Sequence, residues 1–244
     1  MGTAIVKNIP NGNKIIGEVY GNAHIHFSGN NSIVKFGEGC FFQDVNIYIG
    51  SHVECIFGKN VRWAIGDICL SWDYSKLQVD DDCSLGGDCE VASNGSCHIG
   101  RGTTFPFNRR GMPGNVIAVP HGTSLKIGKE CAISWGVTFL SNDGHSIFDV
   151  ISGKNINSTD EVNCKRNIII GDHVWIGCMT TVLYGTKIGD GSIVGAHSLI
   201  KKKVSNNCLV AGNPARIVRR NVAWSRDNCD MDINSCIPYA NLTL

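Results

Sequence analysis

Aliphatic residues recur at every sixth position in the C-terminal half of the chain. They are Ile170, Ile176, Val182, Ile188, Val194 and Ile200. A second class of mostly small residues follows four positions after each, at Val174, Thr180, Thr186, Ser192, Ser198 and Val204. Glycine directly follows four of the aliphatic residues, at Gly171, Gly177, Gly189 and Gly195. A helix places apolar residues three and four apart and a strand alternates them, so neither element alone explains a period of six.

Short strands separated by sharp turns do explain this period. An aliphatic side chain points into a core once per hexad, the small residue lies at a tight corner, and glycine permits the turn. Three hexads would close one triangular coil of about eighteen residues, and stacked coils form a solenoid. The pattern therefore predicts an all-β fold, a parallel β-helix.

The same register extends towards the N-terminus with gaps. It includes Ile127 and Ile133, then Val79, Leu85 and Val91, then Ile99 and Ile49, with Phe36 and Phe42 as wider aromatic versions near the start. Interruptions at about 66–78, 106–122, 141–167 and beyond 212 predict loops or a tail. We expect one β-helix domain over 1–220, with loops near 66–78, 106–122 and 141–167, and a C-terminal tail over 221–244 for which a short helix is one option.

Four segments resemble the hexapeptide-repeat acyltransferases. GDHVWIG, GDGSIVGAHSLI and AGNPARIVR, all within 168–220, are similar to acetyltransferases of sugars and cell-surface polysaccharides. The block AISWGVTFLSNDGHSIFD at 132–149 most resembles the polysaccharide O-acetyltransferase branch. The resemblance implies a left-handed parallel β-helix, acetyl-CoA as donor, and a homotrimer whose donor sites lie between neighbouring prisms.

The charge balance gives little support to nucleic-acid or membrane partners. The 244 residues contain 22 basic and 21 acidic side chains, for a net charge of +1. No global field therefore exists to attract a polyanion. No apolar run reaches 18 residues and the N-terminus does not read as a secretory signal, so we expect a cytoplasmic protein without a membrane span.

Twelve cysteines are unusual in such a chain. Disulfides fit poorly with the absence of an export signal, and the spacings include no CxxC or HExxH, so we expect no metal. The register instead places six of them in the small-residue position, at Cys40, Cys83, Cys89, Cys97, Cys131 and Cys208, and Cys55 in the aliphatic position. We expect these seven cysteines to be core residues. Outside the repeat lie Cys69, Cys164, Cys178, Cys229 and Cys236.

Transfer of an acyl group to a sugar hydroxyl needs a base, and imidazole titrates near neutral pH. His145 lies in SNDGHSIFD, where the repeat breaks, and the resemblance implies that it is the general base. Asp143 is the candidate that orients the imidazole. Asp149 or a backbone carbonyl are alternatives.

The donor site is assigned chiefly by resemblance. Trp175 is too large for the interior of a narrow prism and should point outward, where it would line the pantetheine channel or pack on a neighbouring subunit. Gly177 and Cys178 lie where the family presents backbone to the thioester, and transfer is expected to be direct rather than through an acyl-Cys178. Exposed backbone at Gly195 and Ala196 would pair with pantetheine amides. A basic cluster would hold the phosphates of coenzyme A, and its main candidates are Lys201, Pro214, Arg216 and Arg219, with Lys202, Lys203 and Arg220 nearby.

The acceptor side is assigned from residue type in two flanking loops. The candidates are Asn115, His121, Trp135, Arg109 and Arg110. The two arginines would suit the carboxylate of an acidic sugar. The leading hypothesis is an acetyl-CoA-dependent O-acetyltransferase of a glycan or its precursor. An N-acetyltransferase of an amino sugar or small amine remains an alternative, as does a metal-binding or non-catalytic β-helix.

Overall fold

The chain folds into three β-sheets that form the sides of a triangular prism. The structure is a computed structural model and describes residues 6–106, 112–157 and 166–226. Within these ranges, the helical content is one 3₁₀ turn at Pro10–Gly12. The predicted left-handed parallel β-helix is confirmed. No helix in the described ranges is long and apolar enough to cross a membrane.

The strands are numbered in chain order and fall into the three sheets as follows. Sheet one contains β1 (Val6–Ile9), β2 (Asn13–Ile16), β4 (Ile33–Phe36), β6 (Glu54–Phe57), β8 (Lys76–Val79), β11 (Ser96–Ile99), β13 (Ser124–Ile127), β16 (Ile168–Ile170), β19 (Lys187–Ile188) and β22 (Lys203–Val204). Sheet two contains β3 (Val19–Phe27), β5 (Cys40–Ile49), β7 (Arg62–Leu70), β10 (Asp88–Val91), β12 (Val116–Val119), β15 (Thr138–Leu140), β18 (Thr181–Leu183) and β21 (Leu199–Ile200), with β9 (Ser84–Gly86) paired to β7. Sheet three contains β14 (Ala132–Ile133), β17 (Trp175–Ile176), β20 (Ile193–Val194), β23 (Cys208–Gly212) and β24 (Ala215–Arg220).

Pairing is parallel except at the two ends. The β1–β2 and β23–β24 pairs are antiparallel, so the chain doubles back on itself at the first and last coils. The segment beyond 212 is therefore not a free tail at its start, because β24 returns along β23.

The six-residue period corresponds to a buried ladder. In sheet one, Ile127 pairs with Ile170, Ile170 with Ile188, and Ile188 with Val204. All six aliphatic residues predicted from the C-terminal repeat are at most 2% exposed. The prediction for Val204 is wrong in one respect. It occupies the aliphatic position rather than the small one, because Ile188 and Val204 are sixteen residues apart whereas Ile170 and Ile188 are eighteen apart.

The small residues lie at the corners, where several buried hydroxyls bond to a carbonyl in the adjacent coil. Thr186 Oγ1 donates to Ile200 O at 3.2 Å, and Ser192 Oγ donates to Ser205 O at 2.9 Å. Cysteine takes the same role. Cys83 Sγ donates to Gly100 O at 3.2 Å and Cys131 Sγ to Gly171 O at 3.2 Å. A buried polar atom needs a partner, and a short side chain at the corner reaches the carbonyl that stacks on it.

The seven cysteines assigned to the core are all buried and free. Cys89 and Cys97 lie inside strands β10 and β11 rather than at corners, so their side chains pack as small hydrophobic residues among the ladders. Cys69 and Cys178 are half-buried, and Cys164, Cys229 and Cys236 lie outside the described residues.

Two expected interruptions are narrower than the sequence suggested. Strand β7 continues to Leu70 and β8 begins at Lys76, so the loop near 66–78 reduces to a turn over 71–75. Strand β12 occupies Val116–Val119 within the interval 106–122. In the first case the six-residue period is not visible in the sequence, because β7 is nine residues long and bends at Ile65, which has a φ of 53°. The interval 141–167 does leave the coil, between β15 and β16.

The close stacking of corners explains the glycines of the repeat. A Cβ added at Gly177 would lie 2.6 Å from Ala196 N in the next coil, a separation that side chains do not reach. Glycine is therefore required there by the approach of two backbones.

Candidate active-site cleft

One corner of the prism carries the loop that contains His145. We call the turns from sheet two to sheet one the cleft corner, and they comprise 28–32, 50–53, 71–75, 92–95, 120–123, 141–167, 184–186 and 201–202. Successive turns are bonded through their backbones, as where Gly122 N donates to Ser93 O at 3.1 Å. Seven of these eight turns are short, whereas the described parts of the 141–167 connection, 141–157 and 166–167, leave the coil because its extra length cannot fit within one turn.

A cleft of about 410 Å³ opens where this loop leaves the corner. Its walls come from the 120–123 turn and from the two ends of the loop. The lining residues are Pro120, His121, Thr123, Asn142, Asp143, Gly144, His145, Ser146, Asn155, Asn157 and Arg166. The structure thus brings His121 and His145 together, although they are 24 residues apart in the chain. Both side chains are exposed, so either imidazole can exchange a proton with a bound molecule.

Asn157 ties the two ends of the loop together. Its Nδ2 donates to His145 O at 2.8 Å and to Asp143 Oδ2 at 2.9 Å, and its Oδ1 accepts from Ile147 N at 2.7 Å. These bonds restrain the backbone on both sides of His145. Sequence reasoning did not identify Asn157, because nothing in the spacing shows that it returns to the start of its loop.

Arg166 and Tyr184 complete a ring of contacts with Asn157 and Asp143. Arg166 is 4% exposed, its Nη2 donates to Asn157 O, and its guanidinium lies 5.4 Å from the centroid of the Tyr184 ring. The Tyr184 hydroxyl donates to Asp143 Oδ2 at 3.2 Å. Burial, followed by the bond to the Asp143 carboxylate, raises the pKa of Tyr184. The hydroxyl therefore stays protonated and remains a donor at neutral pH.

The two aspartates proposed to orient His145 act elsewhere. Asp143 bonds to Asn157 and Tyr184 rather than to the imidazole, so it anchors the loop backbone. Asp149 accepts from Ser152 N and Ser152 Oγ, both at 2.7 Å, and these bonds lower the pKa of Asp149. Asp149 thus caps the turn at the tip of the loop. The short sequence distance of each aspartate from His145 was misleading, because Asp149 satisfies a local turn and Asp143 bonds to residues that are distant in the chain.

The acceptor residues predicted from sequence are dispersed. His121 lines the cleft. Asn115 does not, since it is buried and its Oδ1 accepts from Val137 N at 2.8 Å across a corner. Trp135 lies at a different corner, where its carbonyl accepts from Met179 N at 3.0 Å. Arg109 and Arg110 lie outside the described residues.

A second cleft, of about 450 Å³, lies at the C-terminal end of the cleft corner. It brings together Lys201, Pro214 and Arg216 as the closing motif predicted, with Lys202 and Lys203 beside them. Arg219 lies on β24 and is exposed, but it does not line this cleft. Because the 201–202 turn is two coils above the His145 loop, a spacing of about 4.8 Å per coil separates them by roughly 10 Å along the corner.

Trp175 points outward, as predicted, and is 42% exposed. It lies beside Trp224 of the same chain, with ring centroids 6.1 Å apart. Trp224 itself stacks on His173 at 4.1 Å, and its Nε1 donates to His173 O at 2.8 Å. Beyond it, Arg226 bonds to Cys131 O and Thr104 Oγ1. The described start of the C-terminal segment therefore runs back along the prism, and residues 227–244 lie outside the described residues.

The remaining donor candidates share the corner between sheets three and two. Cys178 O accepts from His197 N at 2.8 Å, and Gly177 and Gly195 open the two stacked turns. Ala196 is exposed between them. These residues and Trp135 lie at the corner where the strands of sheet two begin, whereas His145 lies at the corner where those strands end. A single chain therefore separates the predicted thioester contacts from the predicted base.

Comparison with known proteins identifies the repeat. Residues 167–202 match the family model described as bacterial transferase hexapeptide (six repeats). A polysialic acid O-acetyltransferase of Escherichia coli O1:K1 / APEC is 30% identical over 171 residues, which are 68% of this chain and 52% of that protein. The E. coli K12 protein WbbJ, a putative lipopolysaccharide biosynthesis O-acetyl transferase, is 32% identical over 50% of this chain and 63% of its own length. The chain thus spans less than two thirds of both relatives.

Two solved structures share the architecture over most of the chain. The polysialic acid specific acetyltransferase NeuO superimposes with a TM-score of 0.61 at 26% identity, covering 89% of this chain and 86% of NeuO. The polysialic acid O-acetyltransferase OatWY superimposes with a TM-score of 0.57 at 25% identity, covering 89% of this chain and 94% of OatWY. The likeness therefore extends well beyond residues 167–202, which the family model matches.

Proposed function

We propose that the chain transfers an acetyl group from acetyl-CoA to a hydroxyl of a polysaccharide or glycan precursor, because it contains the hexapeptide repeat of bacterial transferases and resembles the polysaccharide O-acetyltransferases. The observation that carries the proposal is the cleft at the His145 loop. It places an exposed imidazole in an open, polar-lined space at the corner where the solenoid is interrupted. The names of NeuO, OatWY and WbbJ support the same class of acceptor.

His145 would act as the general base. It takes the proton of the acceptor hydroxyl while that oxygen attacks the acetyl carbonyl, and a backbone N–H at a coil edge stabilises the oxyanion. Collapse of the tetrahedral intermediate breaks the C–S bond. The proton held on His145 then neutralises the departing thiolate, so the base is regenerated and no acyl-enzyme forms.

The donor would approach along the same corner from the C-terminal end. Lys201 and Arg216 provide cations for the phosphates of coenzyme A in the second cleft, roughly 10 Å above the His145 loop. The pantetheine arm would extend from there towards His145. Arg216 suits this task because its fork can bond two phosphate oxygens at once.

A homotrimer would complete the site. Trp175, Cys178, Gly195 and Ala196 lie away from the His145 corner of their own chain, so they reach a thioester there only if a neighbouring protomer supplies them. Closed rotational symmetry would repeat this arrangement at each interface. The proposed activity also requires acetyl-CoA, and we accordingly propose a cytoplasmic location.

The test is a thiol-release assay with acetyl-CoA and a panel of polysaccharides, oligosaccharides and sugar nucleotides. His145→Ala should lower kcat by about 10² to 10⁴, the usual contribution of a positioned base. His24→Ala is the matched control, since His24 is exposed on β3 and far along the chain from the cleft. Normal turnover by a folded His145→Ala protein would refute the mechanism, and acetylation of amines alone would favour the N-acetyltransferase alternative.

A further inference from the structure

The cleft corner continues below the cleft as an unbroken column of turns. Gly122 N bonds to Ser93 O, Asn94 N bonds to Asp73 O, and Tyr74 N bonds to Ser51 O, each at 3.0–3.1 Å. The 71–75 turn therefore lies two coils below the 120–123 turn that carries His121. With about 4.8 Å between coils, this separation is roughly 10 Å.

Aromatic rings are exposed on this lower part of the corner. Trp72 is 42% exposed and Tyr74 is 53% exposed. The ring of His52, one coil below, stacks on Tyr74 with centroids 4.8 Å apart and planes within 7°. We call His52, Trp72 and Tyr74 the aromatic platform. The stacking fixes the Tyr74 ring, so its orientation is set before any ligand arrives.

The backbone at Tyr74 has a conformation that bulky side chains rarely adopt. His52 and Tyr74 have φ values of 56° and 60°, in the left-handed region. The equivalent position holds Asn31, Asn94 and Gly122 in other coils of the column. Asparagine, histidine and glycine tolerate this conformation better than a bulky tyrosine does. The chain therefore accepts a conformational cost at Tyr74, whose exposed ring gains only the stacking contact with His52.

The turn that carries the platform is also well held. Ser75 Oγ donates to Trp72 O at 3.0 Å, and Asp73 Oδ1 accepts from Ser51 N at 3.2 Å. The rings are thus presented by a fixed ridge rather than by a loose loop. This pre-organisation favours binding, because little backbone freedom of the turn remains to be lost.

We infer that the aromatic platform binds the chain of a polymeric acceptor glycan, several sugars away from the sugar that reacts at His145. The apolar C–H face of a pyranose ring stacks on a flat aromatic side chain while its hydroxyls bond to polar neighbours. Ser51, Asp73, Ser93 and Asn94 provide such neighbours along the same ridge. A protein partner fits less well, since a stable protein interface buries about 800 Å² on each partner, more than a narrow ridge of turns offers.

The inference rests on the proposed function and adds a distinct property to it. A platform outside the reacting cleft contributes only when the acceptor is long enough to reach both. Replacing the rings should therefore weaken the use of a long polymer and leave the use of a short fragment unchanged, because the fragment contacts the cleft alone.

The experiment compares the wild type with Trp72→Ala/Tyr74→Ala, using the most rapidly acetylated polysaccharide of the panel and its mono- and disaccharide fragments. The KM for the polymer should rise about tenfold, which corresponds to about 1.4 kcal/mol, while kcat and the KM for the fragments stay at wild-type values. Trp72→Phe/Tyr74→Phe should retain most of the affinity for the polymer. Tyr20→Ala is the matched control, because Tyr20 is equally exposed but lies on β3, outside the corner.

Binding is measured separately from turnover by affinity electrophoresis of the same proteins in gels that contain each polysaccharide. The inference is supported if the polysaccharide slows the migration of the wild-type protein in the gel but not that of the alanine variant. An unchanged polymer KM and gel shift in a folded variant would overturn it, as would an equal loss for polymer and fragments or the absence of any shift for the wild type. Failure of the proposed function is seen differently, as absence of thiol release by the wild type or full activity of His145→Ala.

Discussion

Asn157 should control turnover through the backbone at His145. Its side chain makes three hydrogen bonds, at 2.7–2.9 Å, to Ile147 N, His145 O and Asp143 Oδ2. The residue is only half-buried, so we assign each bond about 0.5 kcal/mol, the lower end of the usual net range. Loss of all three in Asn157→Ala would favour disordered forms of the loop by roughly 1.5 kcal/mol, which is about tenfold in population.

We therefore expect kcat of Asn157→Ala to fall about tenfold with little change in the KM for acetyl-CoA, since the second cleft is formed by other residues. The melting temperature should change little, because the loop lies outside the stacked coils. Asn157→Asp loses both donated bonds and brings a second carboxylate towards Asp143, so its kcat at neutral pH should be at least as low. Hydrogen exchange at the Ile147 amide should become faster in Asn157→Ala, which removes its acceptor, and change less in Asn157→Asp, which keeps one.

Lys154→Ala is the control, because Lys154 is exposed near the tip of the same loop. Steady-state kinetics with acetyl-CoA and the best acceptor of the panel provide the measurement. If Asn157→Ala keeps the wild-type kcat under conditions in which His145→Ala is inactive, the three bonds do not position the base.

Three further predictions follow from other parts of the structure. Arg216→Ala should raise the KM for acetyl-CoA but not the KM for acetyl-pantetheine, which lacks the phosphates. Arg219→Ala should change neither KM by much, because Arg219 does not line the second cleft. Equal effects of Arg216→Ala with both donors would contradict phosphate binding. Phe57→Ala should destabilise the protein by about 3–5 kcal/mol in urea unfolding, since Phe57 packs against Phe36, Phe42 and Trp63 in the N-terminal core, whereas the exposed Phe41→Ala should cost less than about 0.5 kcal/mol. Burial raises the pKa of Cys83 to about 11 and that of Cys131 to about 12, against 9.0 for a free thiol. Between these values only the unfolded state loses the thiol protons, so the free energy of unfolding should fall as the pH rises from about 9 towards 11. A free energy of unfolding that does not change with pH in this range would show that the thiols are not buried.

Most of the fold could be read from the order of side chains. A period of six with a small residue at a fixed offset is a local constraint, since each hexad must supply one inward side chain and one tight corner. The ladder from Ile127 to Ile188 and the corner hydroxyls of Thr186 and Ser192 follow directly from it. Cys83 and Cys131 follow the same rule, because a thiol is small enough for the corner and can donate a bond to the stacked carbonyl, whereas Cys89 and Cys97 lie inside strands.

The misassignments arose where the local period was broken. The last coil is two residues shorter than the one before it, and this places Val204 in the aliphatic position. Strand β7 bends at Ile65 and continues into a segment that was expected to be a loop. Both are changes in coil length that the neighbouring coils accommodate. Residue type alone likewise placed Asn115 in the acceptor site, although its amide is buried in a corner bond.

The candidate site was decided almost wholly by tertiary structure. The sequence identified His145 through a resemblance, and it grouped Lys201, Pro214 and Arg216 through a closing motif. It could not show that His121 faces the same cleft, that Asn157 and Tyr184 hold the loop, or that Trp72 and Tyr74 stand on the same corner. The physical reason lies in the geometry of a solenoid. Side chains within a coil are ordered by the chain, but neighbours along a corner come from successive coils, and only the number of residues in each intervening coil and loop determines which of them meet.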